Sequence, residues 1–270
     1  MNDNIEKKTI YPSLALDQND KLDAEIIIMD EYPNLRPMIK VENLTKVFGK
    51  NQKRNIAVDN LNFTFYDGQK IAFLGANGAG KTTTIEMIAG ITKPTSGSVN
   101  FLYEYVNTYQ ETIGIQFQDS VYPMGIKVRD VINFILEVYN IKMSKDEIMN
   151  IVQSFDLTHL YKKNARSLSG GQQQRLNILL SLVHKPKYVF LDELSTGLDI
   201  SVRSKIKKFI KEYTNLNDIN MVLISHDASE IETLCDRIII LQKGILKVDM
   251  PIKEVLKKFD SVEALLEKYI

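Results

Sequence analysis

The stretch 71-IAFLGANGAGKTTTIEM-87 decides how the rest of the chain is read. Four apolar residues, Ile71 to Leu74, run straight into a glycine-rich turn. The turn runs into a segment whose apolar residues, Ile85, Met87, Ile88 and Ile91, recur at helical spacing. Strand, loop and helix in that order open an α/β unit. The loop, Gly75-Ala76-Asn77-Gly78-Ala79-Gly80-Lys81-Thr82, satisfies G-x-x-x-x-G-K-[ST]. Glycines let backbone N–H groups turn inward around phosphate oxygens, and the following helix adds the positive end of its dipole. Lys81 then reaches the outer phosphates, and the Thr82 hydroxyl can take one position on Mg²⁺.

A phosphate loop serves triphosphate chemistry only where an acid helps to hold the metal. The apolar run 188–191 ends on two acids, Asp192 and Glu193. Asp192 fits the metal-side carboxylate, and Glu193 is placed to polarise an attacking water. A pair of acids after a strand is by itself an ordinary surface feature, and only the loop upstream gives it this meaning. On these residues a transport ATPase, a kinase, a GTPase and a helicase all remain.

The segment 168-LSGGQ-172 separates them. A serine before a glycine pair, at the head of an apolar helical run, reads as a helix N-cap. The same hydroxyl and amides also make a second anion site. A chain with one phosphate loop has no evident use for it, unless it faces the loop of another chain. These five residues resemble the signature of the ATP-binding cassette (ABC) ATPases, and the resemblance covers 38–250. It implies two ATPase domains packed head to tail, each ATP held between one P-loop and the other chain's signature.

The resemblance also implies roles residue by residue. Phe48 would stack on adenine, and Gly75, Ala76, Asn77, Gly78, Ala79, Gly80, Lys81, Thr82 and Thr83 would wrap the phosphates. Gln118 in 113-IGIQFQ-118 would approach Mg²⁺ and the attacking water; Gln116 competes for this role, but the spacing from Ile113-Gly114 favours Gln118. Thr82, Gln118 and Asp192 would hold Mg²⁺, with Glu193, His226, Gln118 and Lys81 as the catalytic set. Ser169, Gly170, Gly171, Gln172 and Asp199 would act in trans. Leu194-Ser195 departs from the family's usual Pro-Thr, which suggests a tuned turn. Within 113–123 and in the short stretch after His226, the closest likeness is to ABC-2-type exporters.

Around these motifs the expected fold is α/β: a P-loop NTPase core with a RecA-like mixed sheet and flanking helices, an antiparallel β lobe and an inserted helical subdomain. Residues 38–41 and 62–66 read as strands, with 67-DG-68 as the turn before 70–74. Apolar spacing from Val128 to Tyr139 and from Ile148 to Phe155 places the helical subdomain at about 120–182 within an ATPase domain of 38–250. Runs at 188–191 and 220–224 read as buried strands, helices fall near 201–213 and 228–236, and 238–248 reads as a hairpin about Gly244. A single helix is expected over 251–270.

Composition bounds the rest. Residues 1–37 form an acidic extension, expected to be poorly ordered apart from one short strand within 24–29; eight acids fall in its first 36 residues. Lys plus Arg and Asp plus Glu number 34 each, so no overall field favours nucleic acid, and none is expected as a partner. The single cysteine, Cys235, fits a reducing compartment. No run approaches the ~20 apolar residues of a membrane helix. The expectation is a cytoplasmic ATPase subunit at the inner face of the cell membrane. It would bind ATP and Mg²⁺, pair with a second ATPase subunit, and drive a separate membrane-spanning subunit whose coupling helix meets Val121, Tyr122, Met124 and Ile126. The competing reading is a soluble ABC ATPase in iron–sulfur assembly or acting on nucleic acid or ribosomes; the interval from Thr82 to Ser169 holds no sustained heptads for a chromosome-type coiled coil.

Overall fold

A computed structural model of the chain describes residues 26–28, 32, 34–49, 54–116, 121–194 and 199–270. Among them the larger sheet holds, in spatial order, β1 (Ile27–Ile28), β10 (Ile245–Pro251), β9 (Arg237–Gln242), β4 (Lys70–Leu74), β8 (Asn220–Ile224), β7 (Tyr188–Asp192) and β6 (Ile113–Ile115). Only the β9–β10 pair is antiparallel. A second, antiparallel sheet orders β3 (Asn55–Tyr66), β2 (Pro37–Phe48) and β5 (Ser96–Phe101). Helix α1 (Lys81–Ile88) follows the phosphate loop, and α2 (Val128–Val138), α3 (Lys145–Ser154) and α4 (Gly170–Val183) make the helical region. Helices α5 (Ile200–Leu216), α6 (Ala228–Leu234), α7 (Ile252–Phe259) and α8 (Val262–Tyr269) complete the chain.

The central strands are apolar throughout because both faces of the sheet are covered. Their side chains still alternate between two cores. Ile71 and Phe73, Tyr188 and Phe190, and Val222 and Ile224 face the antiparallel lobe and α1. Ala72 and Leu74, Val189 and Leu191, and Met221 and Leu223 face the helices on the other side. Losing one of the larger fillers, such as Phe190, costs about 3–5 kcal/mol. This two-sided clamping fixes the carboxyl ends of β4, β6, β7 and β8, where the candidate site lies.

Several elements differ from the sequence reading. Strand β5, 96-SGSVNF-101, lacks apolar alternation because it is a largely exposed edge strand. The expected C-terminal helix is two helices. Asp260 takes a left-handed conformation after α7, and the Ser261 hydroxyl caps α8 by accepting from Ala264 N–H. Apolar spacing through Ile252, Val255, Val262, Leu265 and Tyr269 continues across the break and hides it. Helix α4 begins beside α2 and α3 and ends packed on β6 and β7, so it is shared between the helical region and the main sheet. At the N-terminal side β1 extends the main sheet beyond β10, and Tyr32 lays its ring over Arg237, which is paired with buried Asp249 at 2.6 Å.

Candidate nucleotide site

The phosphate loop leaves the end of β4 and returns into α1 with its shape fixed from within the chain. Gly75 has φ +147° and Gly80 φ +97°. A Cβ on Gly75 would lie 2.3 Å from the Leu241 carbonyl oxygen, and one on Gly80 2.4 Å from that of Ala57. Only glycine fits either place. Ala79 N–H donates to the Ala76 carbonyl, and Gly244 N–H, from the β9–β10 turn, donates to that of Ala79. Ala76, Asn77 and Gly78 form the exposed tip, Thr82 is exposed and Thr83 half-buried. Thr84, buried one residue on, donates its hydroxyl to the Gly80 carbonyl and locks the helix start.

Lys81 is buried, and its ammonium donates to the carbonyls of Gly75 at 2.6 Å and Ala76 at 3.1 Å. An ammonium has three N–H groups, so the loop's own bonds leave one for a phosphate oxygen. Burial pulls the Lys81 pKa down, and the negative charges of Asp192 and Glu193 counter that pull. Burial pushes Asp192 up, Glu193 adds to the rise, and Lys81 and His226 oppose it. These four side chains, drawn from the start of α1 and the ends of β7 and β8, therefore share one electrostatic neighbourhood. Ligands bind outside the carboxyl ends of strands in open α/β sheets, and this cluster stands there. The exposed Thr82 hydroxyl and the Asp192 carboxylate are hard oxygen donors of the kind Mg²⁺ takes, with the remaining positions left to phosphate and water. The donor set fits the ion.

Phe48, at the end of β2, is exposed, and the Lys46 ammonium stands 5.0 Å from its ring centre. An exposed aromatic ring at a strand end can stack on a base. Gln118 lies outside the described residues. Gln116 takes a separate place: it is buried, and its Nε2 donates to the Asp192 carbonyl at 2.8 Å. Of the four residues expected at a coupling-helix groove, Tyr122 is instead buried in the core and bonds to Asn177. Val121 and Met124 are exposed, and Ile126 is half-buried.

The signature residues make a different kind of site. Ser169 caps α4, accepting from Gln172 N–H at 3.4 Å, while Gln172 Oε1 accepts from Ser169 N–H at 3.1 Å. The cap uses the serine oxygen as an acceptor and leaves its O–H as a donor. Ser169 and Gly170 are exposed, with Gly171 and Gln172 half-buried behind them. A Cβ on Gly170 would meet nothing within 4 Å. Asp199 sits at the N-cap of α5, is exposed, and makes no side-chain cap bond. Among the described residues nothing demands a glycine at 170 or an acid at 199.

Two features of the site carried no signal in sequence periodicity. The Glu193 carbonyl accepts from Nε2 of Gln174, the last residue of the SGGQQQ run. Behind His226, the Ser225 hydroxyl donates to buried Glu230 at 2.7 Å, and Arg203 pairs with Asp227 at 3.4 Å.

The sequence profile of the family described as ABC transporter matches residues 58–196. The glucose import ATP-binding protein of Saccharolobus solfataricus is 34% identical over 221 residues, 77% of this chain and 61% of that protein. The chain thus spans about three fifths of that relative's length. An uncharacterised ABC transporter ATP-binding protein of Methanocaldococcus jannaschii is 31% identical over 241 residues, 86% of this chain and 84% of that protein. Among solved structures, a dimeric ATP-binding cassette in a post-hydrolysis state bound to ADP and Pi superposes with a TM-score of 0.70 at 25% identity, covering 79% of this chain and 98% of that one.

Proposed function

The chain belongs to the ABC transporter family of ATP-binding cassettes, and on that premise we propose that it binds and hydrolyses ATP to power a separate membrane-spanning transporter subunit. The observation that carries the reading is the convergence of Lys81, Asp192, Glu193 and His226 at the strand ends beside a phosphate loop. Among the described residues no helix is long and apolar enough to cross a membrane. The exposed Val121 and Met124 suit the partner's docking side. We assign the direction as export, on the likeness of 113-IGIQFQDSVYP-123; the named relatives include an importer, so the shared cassette alone does not carry direction.

In the mechanism we favour, ATP lies with its phosphates in the loop of one chain and its base against Phe48. Thr82, Asp192 and Gln118 are the residues that would hold Mg²⁺, which when bound draws charge off the phosphate oxygens. Lys81 counters the charge that develops on the transferring phosphoryl group. Glu193 accepts a hydrogen bond from the attacking water and orients it in line with the γ-phosphate. His226 donates to a γ-phosphate oxygen. Ser169, Gly170, Gly171 and Gln172 of a second ATPase chain close the far side of that ATP, and Asp199 lies at the same interface. Opening after hydrolysis resets the membrane subunit.

The test is Glu193→Gln, which removes the carboxylate's negative charge and keeps the size. We expect a stable ATP-bound dimer with hydrolysis reduced about 100- to 1,000-fold, the scale of losing one pre-organised catalytic group. Unchanged turnover would remove Glu193 from its role. Co-purification of an integral membrane protein supports the transporter reading, and a purely soluble complex contradicts it.

A further inference from the structure

Glu193 has φ +51°, in the left-handed region that a non-glycine residue enters at a cost. Such a conformation persists only where its surroundings hold it. Hydrogen bonds on the backbone around the acid pair do so here. Glu193 N–H donates to the Ile224 carbonyl at 2.9 Å, which ties it to β8. Gln116 Nε2 donates to the Asp192 carbonyl at 2.8 Å from the end of β6. Gln174 Nε2 donates to the Glu193 carbonyl from α4. The first bond comes from the sheet itself, whereas the other two come from side chains: Gln116, weighed in the sequence only as a competitor of Gln118, and Gln174, which carries no motif role there.

Helix α4 is a firm base for such a bond. Its Arg175 donates to the carbonyls of Phe155 and Asp156 at 3.2 and 3.1 Å and to the Asp156 carboxylate at 2.7 Å. Its Ser181 carbonyl presses so closely on β6 that a Cβ on Gly114 would lie 1.9 Å from it. Gln174 therefore reaches Glu193 from an element anchored on both sides. A peptide rotation at Glu193 would swing the carboxylate, and a misplacement of about 1 Å in a reacting group can cost on the order of 100-fold in rate.

We propose that Gln174 is a positioning residue for hydrolysis: its side-chain amide holds the Glu193 backbone in the left-handed conformation that aims the carboxylate at the water. The inference rests on Glu193 having the role proposed above. It also gives α4 two duties, the exposed N-terminus with Ser169 and Gly170 toward a second chain and the next turn toward the acid of its own chain.

The test compares Gln174→Leu, Gln174→Glu and Glu193→Gln in the purified full chain, with Mg²⁺ and ATP. Gln174→Leu is expected to lower kcat about 10- to 100-fold, with KM for ATP and the thermal midpoint unchanged. Gln174→Glu keeps the size, but as a carboxylate it has no proton to donate. Its activity relative to wild type should recover as pH falls and the carboxyl regains an O–H, and Gln174→Leu should show no such recovery. A kcat for Gln174→Leu within twofold of wild type would overturn the proposal. So would a loss shared by ATP affinity and thermal stability, or absence of the pH-dependent recovery. Wild-type turnover by Glu193→Gln would instead strike down the role of Glu193 itself, which separates the two failures.

Discussion

The phosphate loop and the signature turn are both glycine-bearing helix starts, yet their glycines have opposite explanations. At Gly75 and Gly80 an added Cβ would strike backbone oxygens of the same chain. At Gly170 it would meet open space, in a residue exposed at the head of α4. Gly75 and Gly80 are accounted for by the fold, whereas among the described residues nothing accounts for Gly170, which the proposed function assigns to a second chain. On the proposed function, one region would be a complete half-site and the other a surface for its counterpart.

The contrast can be broken in several ways. The largest effect should come from Lys81→Ala, which removes the phosphate-directed cation from the complete half-site; hydrolysis should fall about 100- to 1,000-fold in a steady-state phosphate-release assay. Gly75→Ala and Gly170→Asp set the two regions directly against each other. Gly75→Ala should destabilise the fold by roughly 3 kcal/mol in urea denaturation, through its clash and its positive φ. Gly170→Asp should fold as well as wild type, because an acid in the first turn suits the helix dipole. It should nevertheless abolish ATP-driven association, seen by sedimentation, because its charge would face phosphate. Equal destabilisation by both substitutions would erase the distinction.

A smaller effect is expected at the rim. Phe48→Ala should raise KM for ATP about 10-fold with kcat little changed, since base stacking serves ground and transition states alike. The smallest effect concerns stability alone. Burial and Glu193 raise the Asp192 pKa in the folded state, so the folded chain binds more protons than the unfolded one between the usual aspartate value and the raised one. Stability contributed by this group is present at low pH and lost as pH rises through that window. Asp192→Asn should therefore make the nucleotide-free chain more stable at neutral pH, by thermal denaturation, while removing hydrolysis. A fall in stability would contradict the sign.

What the sequence made legible followed from local chemistry. The loop 75–82, the acids at 192–193 and the serine cap at 169 each announce themselves through residue type and neighbours. Central strands were readable because burial on both faces leaves unbroken apolar runs. Strand β5 was not, because an exposed edge needs no apolar pattern. The break between α7 and α8 hid beneath a spacing that continues through it. The sequence leaves Tyr122 between a partner groove and core packing, and Asn177, 55 positions away, decides for the core by drawing its hydroxyl inward. Gln116 and Gln174 were invisible as supports for the acid pair because they act on backbone carbonyls, through contacts no spacing encodes.

The central claim is that the head of α4 serves the nucleotide of another chain. Asn77→Cys, at the tip of the phosphate loop, and Gly170→Cys would be prepared separately in a Glu193→Gln background and mixed under mild oxidation. The native Cys235 is buried, and burial holds its thiol well above the usual pKa, so it should stay silent. The account predicts a disulfide-linked dimer that forms only from the mixture and only with ATP. No cross-link with ATP, or the same cross-link without it, would contradict the account.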